Sequence, residues 1–435
     1  MQPVNLFKYP KAILHIDGDC FFASCEVAKN PSLKGKAVVT GMERGIVSSL
    51  TYEAKDRGVK RAMSLPEVKK ICPDAIFLPS DYETYSLYSM RMFNIVRRYT
   101  SIVEEYSIDE CFADLTGMQR PLNMNYEKIA EQIKHDLDTE LGMTFSIGLA
   151  PSKVLAKIAS KWKKPSGLAC IPGRDIHLFL LNLNTEKVWG IGPKTSAYLK
   201  NLGVNTALEF VNRDKYWIKD KLTKPHYEIW QELKGKSVYK VEKKAKKNYQ
   251  SISKTKTFTP ASTDNEFVFS QLSKNIENAC IKARRHNLSS NKIFFYLKTQ
   301  EFKYIGAEIK LNRFSNLPTD LIQVVRPIYK KIYDNSKQYR ATGIIIMNLK
   351  IDNKIQLDLF ADPIKIENMT QILGSLDKIS KKYGKHSLFL GSSFKAMSHD
   401  QHQGDRAKQA DRKTMLFKGE SNRKRIGIPV LGKVI

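Results

Sequence analysis

Four acids are spaced so that they could share one task. Asp17 ends a short apolar run (residues 12–17, AILHID) and Asp19 follows two positions on. Asp109 and Glu110 adjoin each other much later, between two further apolar runs. Carboxylates brought together repel strongly unless a cation stands between them. Hard divalent ions with oxygen ligands, Mg²⁺ above all, suit such a cluster. Two of them about 4 Å apart clamp the attacking and leaving oxygens of a phosphoryl transfer. Taken singly, each acid also reads as a surface turn residue or a helix cap. Spacing alone therefore licenses a two-metal site and no particular reaction.

Two other stretches carry chemistry. Residues 189–203 (WGIGPKTSAYLKNLG) read as a glycine-rich hairpin opening a helix. Gly190 and Gly192 permit the turn, and Lys194 stands where backbone N–H groups at a helix start can meet a phosphate. Gln356, Leu357, Leu359 and Phe360 form a short apolar string in polar surroundings. Such groups gain by entering a partner's groove. The alternative for them is a closing edge strand.

The elements that must position the acids follow from periodicity. Strands are expected at 12–17, 37–40, 46–49, 102–106, 111–115 and 144–150, and helices at 20–28, 51–57, 65–71, 81–99, 126–141 and 152–163. Residues 102–115 place Asp109 and Glu110 in a tight connection between two strands, where the end of the first strand can be a neighbour. This order predicts an antiparallel or mixed sheet with helices on one face. Residues 175–233 read as short helices. Residues 234–256 hold nine Lys and one Glu, a net of +8, and read as a basic linker lying along phosphate, with Lys243, Lys244, Lys246 and Lys247 at its centre. A helix at 266–286 and strands at 292–299, 308–311 and 342–349 form a last mixed region. From about residue 352 the chain reads as a polar tail.

Composition agrees with a polyanionic partner. The chain has 435 residues, with 72 Lys and Arg against 44 Asp and Glu, a formal charge of +28 and 42% hydrophobic residues. That content buries real cores and excludes wholesale disorder. The charge points first to nucleic acid and second to an anionic membrane surface. No apolar run approaches the ~20 residues a bilayer needs, and no secretory signal is evident. Six cysteines without a C-x-x-C pair make neither a disulfide framework nor a zinc set, which fits a reducing cytoplasm.

Residues 15–26 (HIDGDCFFASCE) and 106–114 (YSIDECFAD) resemble the two catalytic motifs of the Y-family translesion DNA polymerases, of the DNA polymerase IV and UmuC type. Residues 30–39 (NPSLKGKAVV), 51–59 (TYEAKDRGV), 164–167 (KPSG) and 189–193 (WGIGP) recur in that family's order. The resemblance spans about residues 11 to 350. It implies that Asp17 and Asp109 ligate both metals, that the Gly18 carbonyl helps hold the nucleotide's metal, and that Glu110 completes the primer-side site. The metals would be two Mg²⁺, with Mn²⁺ a substitute. Phe22 falls at the family's steric gate against a ribose 2′-hydroxyl, with Phe21 beside it. Tyr52 and Lys164 match triphosphate-holding positions. Lys55 stands where the family usually has Arg, replacing a bidentate fork by a point charge. His15 is read as a packing histidine.

The resemblance also implies the architecture: an α+β right-handed polymerase. The palm would span 1–32 and 78–172, small fingers 33–77, and a helical thumb with a helix-hairpin-helix 173–233. The linker 234–256, a little-finger DNA-binding domain at 257–351 and a tail at 352–435 would follow. The string at 356–360 is similar to the peptide by which bacterial polymerases dock on the sliding clamp. Expected partners are primer-template DNA, deoxynucleoside triphosphates, that clamp, and UmuD-like and RecA-like proteins, with no membrane. The expected reaction is low-fidelity, template-directed transfer of a deoxynucleotide to a primer 3′-hydroxyl. A catalytically inactive scaffold recruited through its tail is the alternative. A nucleotide cyclase fits less well, because it has no use for the basic hairpin and linker.

Overall fold

The computed structural model describes residues 8–243, 249–352, 363–383 and 386–398. They form two compact units, divided in the chain at about residue 245.

The first unit is built on β1 (Ile13–Gly18), whose six residues are all buried. Two small-sheet strands, β2 (Val38–Thr40) and β3 (Ser49–Leu50), pair with each other, and β4 (Ile76–Leu78) runs parallel to β2. The expected strand at 46–49 is shorter and later, and Ile46 makes only an isolated bridge to Ser64. The main sheet adds β5 (Val103–Glu105), β6 (Glu110–Asp114), β7 (Phe145–Ala150) and β8 (Leu168–Cys170), in the order β5-β6-β1-β7-β8.

Helices cover both faces of this sheet, not one as expected. Leu14, Ile16, Cys111, Ala113 and Phe145 pack against the helices Tyr82–Val96 and Tyr126–Leu141. Ile13, Phe112 and Ala150 turn the other way, onto the helix Lys153–Trp162 and the short helices of 176–233. A strand covered on both sides reads as a continuous apolar run, so alternation gave no hint of the second layer. Gly148 of β7 permits close contact. A Cβ there would lie 2.1 Å from the Ala156 carbonyl oxygen and 2.3 Å from the Ser160 nitrogen. Glu232, fully buried, accepts the backbone N–H groups of Val154 (3.2 Å), Val238 (2.6 Å) and Tyr239 (2.8 Å). It thereby ties the start of the helix Lys153–Trp162 to the end of the helix Lys224–Leu233.

The second unit is a four-stranded antiparallel sheet of β9 (Ser251–Ser262), β10 (Leu288–Thr299), β11 (Tyr304–Ser315) and β12 (Tyr339–Ile351), in the order β11-β10-β12-β9. The helices Asn265–Arg285 and Pro318–Ile332 pack on one face through Leu272, Ile276, Leu321 and Val325. Residues 251–256 are therefore strand, not linker. Only Ile252 and Phe258 of β9 are buried apolar residues, and the lysines between them masked the alternation. Pro327 lies inside the second helix and hid its pattern. The tail is also more ordered than its polarity suggests. The helix Pro363–Tyr383 is held by Arg284, whose guanidinium donates to both carboxylate oxygens of Asp377 at 2.7 and 2.9 Å. Downstream, the Leu390 N–H and the Ser393 hydroxyl both donate to the buried Glu277 carboxylate.

Candidate active site

The register of the first unit brings the separated acids to one place. Asp17 pairs with Glu110 across β1 and β6, and the Gly18 N–H donates to the Asp109 carbonyl at 2.9 Å. Both strands of the pair thus end at the same rim, each carrying an acid. Asp17, Gly18, Asp109, Glu110 and Lys164 line one cavity of about 620 Å³.

Each carboxylate has its own partner there. The Lys164 ammonium donates to Asp17 and lies 3.6 Å from Asp19. Lys157 pairs with Glu110 at 2.8 Å, and the Ser107 hydroxyl donates to Asp109 at 2.5 Å. Among the described residues no three His, Cys, Asp or Glu side chains are grouped so as to hold a metal ion. Asp17, Asp109 and Glu110 each take a separate donor, Lys164, Ser107 and Lys157 in turn. Burial, opposed by Lys164 and reinforced by Glu110, leaves the Asp17 carboxyl raised to about 6. A cation at this rim would favour its ionised form further. An all-oxygen, carboxylate donor set fits Mg²⁺.

Asp19 is different. It is buried and accepts from Ser146 (2.8 Å), Thr144 (3.1 Å) and the Ser166 N–H (2.8 Å), so its oxygens are spent on structure. It pins the loop that presents Lys164. His15 is fully buried, shares a 2.7 Å hydrogen bond with Ser160, and is kept neutral, first by burial and then by nearby lysines. It is a packing residue.

The cavity lining is also cationic. Tyr52, Lys55, Lys60 and Arg61 line it, with the Lys55 ammonium 5.2 Å from the Tyr52 ring centre. Lys60, Arg61 and Lys157 were missed from the sequence. The signals were there: a basic pair just after Gly58, and Lys153, Lys157 and Lys161 at four-residue spacing on an otherwise apolar helix. The two phenylalanines part company. Phe21, only 3% exposed, lines the cavity. Phe22 is not among the lining residues and stacks on Tyr85 at 4.6 Å.

The chain matches the model of the impB/mucB/samB family over residues 16–161, and that of the family's C-terminal domain over residues 249–359. It is 33% identical over 360 residues to DNA polymerase IV of Lactococcus lactis subsp. cremoris, covering 80% of this chain and 97% of the relative. It is 31% identical to DNA polymerase IV of Streptococcus pyogenes serotype M1, covering 78% and 94%. Among solved structures, a Y-family DNA polymerase chimera matches with a TM-score of 0.66 at 25% identity, over 78% of this chain and 99% of the other. The chain belongs to the Y family of DNA polymerases.

It is accordingly a template-directed DNA polymerase of the translesion and repair type, with the palm, fingers, thumb and little-finger fold. In this polymerase the glycine-rich hairpin is anchored by Trp189, which stacks on Phe112 at 5.8 Å and lies 5.4 Å from the Lys157 ammonium. Gly190 has φ +93° and faces Ile229 so closely that a Cβ would sit 2.6 Å from its Cδ1. Gly192 caps the helix Pro193–Asn201 without a side-chain bond, and Lys194 is exposed in its first turn. Lys243 donates to the Ser101 hydroxyl at 3.1 Å. Lys244, Lys246, Lys247, Gln356, Leu357, Leu359 and Phe360 lie outside the described residues. Among the described residues no helix is long and apolar enough to cross a membrane.

Proposed function

We propose that this polymerase joins nucleotides in the 620 Å³ cavity, with Asp17, Asp109, Glu110 and the Gly18 carbonyl holding two Mg²⁺. The observation that carries this reading is the lining itself, which joins the carboxylates of Asp17, Asp109 and Glu110 with Tyr52, Lys55, Lys60, Arg61 and Lys164 in one cavity. Bound at those oxygens, the ions supply activation of the primer 3′-hydroxyl and neutralise the leaving pyrophosphate. Mn²⁺ substitutes for them.

The chain's own residues do the remainder. Lys55 and Lys60 bind and orient the triphosphate as point charges, and Arg61 as a planar fork. Lys164 bridges the two halves, exchanging Asp17 for phosphate when nucleotide enters. Lys157 holds the Glu110 carboxylate in place. Phe22, at the family's steric-gate position though stacked on Tyr85 outside the cavity lining, screens the sugar once nucleotide is bound, and Phe21 lines the cavity. The turn at Gly190 and Gly192, with Lys194, takes a backbone phosphate of the primer-template duplex. Lys243, Lys244, Lys246 and Lys247 track the duplex electrostatically. Residues 356–360 dock on a sliding clamp, UmuD-like and RecA-like proteins are further partners, and the protein works in the cytoplasm.

Single-nucleotide incorporation at varied nucleotide concentration tests the central part. Lys164→Ala and Arg61→Ala should each raise KM for the incoming nucleotide tenfold or more, with DNA affinity within twofold of wild type. An unchanged KM in both would remove the triphosphate from this cavity.

A further inference from the structure

The helix Lys153–Trp162 and the residue that opens the glycine-rich hairpin meet on the strand that carries Glu110. Glu110 and Phe112 are alternate residues of β6 and so share one face. Phe112 packs there with Val154, Ile158 and other apolar residues of the helix. Lys153 and Lys157, one turn apart on that helix, are both buried. Lys153 donates to both carboxylate oxygens of Glu104 at 2.8 Å and lies 4.6 Å from the Phe112 ring centre. Lys157 donates to Glu110 at 2.8 Å. A buried ammonium needs a partner, and each of these has a carboxylate.

A carboxylate alone does not hold a lysine still. The four-carbon stem keeps the charge mobile, so a lone hydrogen bond lets both partners swing together. Rings restrain this one. The Lys157 ammonium stands 4.7 Å from the Tyr106 ring centre and 5.4 Å from that of Trp189, within the range where an aromatic face attracts a cation. Trp189 is fixed in turn. It stacks on the fully buried Phe112 at 5.8 Å, and meets Tyr106 edge to face at 5.6 Å and Tyr239 at 6.1 Å. The indole comes from the residue just before Gly190, outside both the strand pair and the helix. An aliphatic side chain could fill the same junction, but it would not attract the charge.

We infer that Trp189 is a positioning residue for nucleotide transfer: its ring steadies the Lys157 ammonium, and Lys157 steadies the Glu110 carboxylate. The inference rests on the reading above that Glu110 holds the primer-side Mg²⁺. It adds that the carboxylate is placed from the hairpin, because the residue that steadies Lys157 is the one from which the hairpin starts.

The test uses the full chain bound to a primer-template whose primer ends in a 2′,3′-dideoxynucleotide, with the matching deoxynucleoside triphosphate, so that nothing reacts. Mn²⁺ binding is read by electron paramagnetic resonance. Trp189→Ala and Trp189→Leu should each loosen the weaker class of bound Mn²⁺ roughly three- to thirtyfold, which is what a cation–ring contact is worth. Trp189→Phe, which keeps a ring, should stay within twofold of wild type. With an extendable primer, the Ala and Leu variants should need correspondingly more Mg²⁺ for half-maximal single-turnover rate. They should recover most of that rate at saturating Mg²⁺ and keep KM for the nucleotide within twofold. Leu keeps the junction filled should the Ala variant fold poorly. Glu110→Gln is the control and should loosen the same class of Mn²⁺. No change in Glu110→Gln would remove the reading on which the inference stands. A change there with none in Trp189→Leu would refute the inference alone, because the indole would then be filling space. So would a loss in Trp189→Phe as large as that in Trp189→Leu, since the ring would not be what counts.

Discussion

Gly148→Ala isolates how the helix Lys153–Trp162 serves the active site. The added methyl would meet the Ala156 carbonyl oxygen at 2.1 Å, and ordinary contact begins near 3.4 Å, so the helix must retreat by about 1.3 Å. The obstacle is helix backbone, so no side-chain rotation relieves it. Over-packing of this kind costs roughly 1–3 kcal/mol. At the middle of that range the midpoint of the first unit's unfolding should fall by about 4–8 °C. The same retreat would carry Lys157 Nζ from 2.8 Å to roughly 4 Å from Glu110 Oε2, outside hydrogen-bond reach. It would also strain the bond between His15 and Ser160. Polymerase activity should therefore drop well below what the smaller folded fraction explains. Calorimetry alongside single-turnover incorporation at about 20 °C, where the variant stays folded, measures both effects. A midpoint within about 1 °C of wild type with a full rate would refute the proposition that helix placement controls the carboxylates.

Phe22→Ala should raise ribonucleotide incorporation tenfold or more in a competitive extension assay, whereas Phe21→Ala, in the core, should cost roughly 3–5 kcal/mol of stability. Unchanged sugar discrimination in Phe22→Ala would remove that ring from the nucleotide site. Replacing Lys243, Lys244, Lys246 and Lys247 together by Gln should flatten the dependence of log K on log salt by roughly 0.9 for each phosphate that is no longer neutralised. A slope equal to wild type would show the segment stays in solvent. Leu359→Ala with Phe360→Ala should abolish stimulation by the host's clamp on long loaded templates and spare distributive extension on short ones. Clamp stimulation that persists would sink the docking role.

The site was legible where chemistry and chain order coincide. Asp17 stands out because an acid ends an apolar strand, and Asp109 and Glu110 because two acids interrupt a strand pair. What could not be read was which groups answer them. The pairing of Asp17 with Glu110 is a register, and the pairing of Lys157 with Glu110 is a helix-to-sheet contact across nearly fifty residues. Neither leaves a local signature. Asp19 looked equivalent to Asp17 in the sequence, yet three donors from other segments make it structural. The fold shows the same division. Strongly periodic helices such as Tyr126–Leu141 and Asn265–Arg285 fell within a residue or so of expectation. β9 did not, because its alternate positions are lysines lying over a helix. Lys254 is half-buried there, its pKa lowered first by burial and then by Lys282 and Arg285.

The most direct test of the central claim is Asp109→Ala in primer extension, with primer-template affinity measured on the same preparation. Asp109 lines the cavity, its side chain accepts from the Ser107 hydroxyl, and its carbonyl anchors the end of β1 whatever the side chain. The variant should fold, bind primer-template as wild type does, and extend nothing at any Mg²⁺ or Mn²⁺ concentration. Extension by the folded variant above a few per cent of the wild-type rate would contradict the account, because the acid would then not be holding the metals.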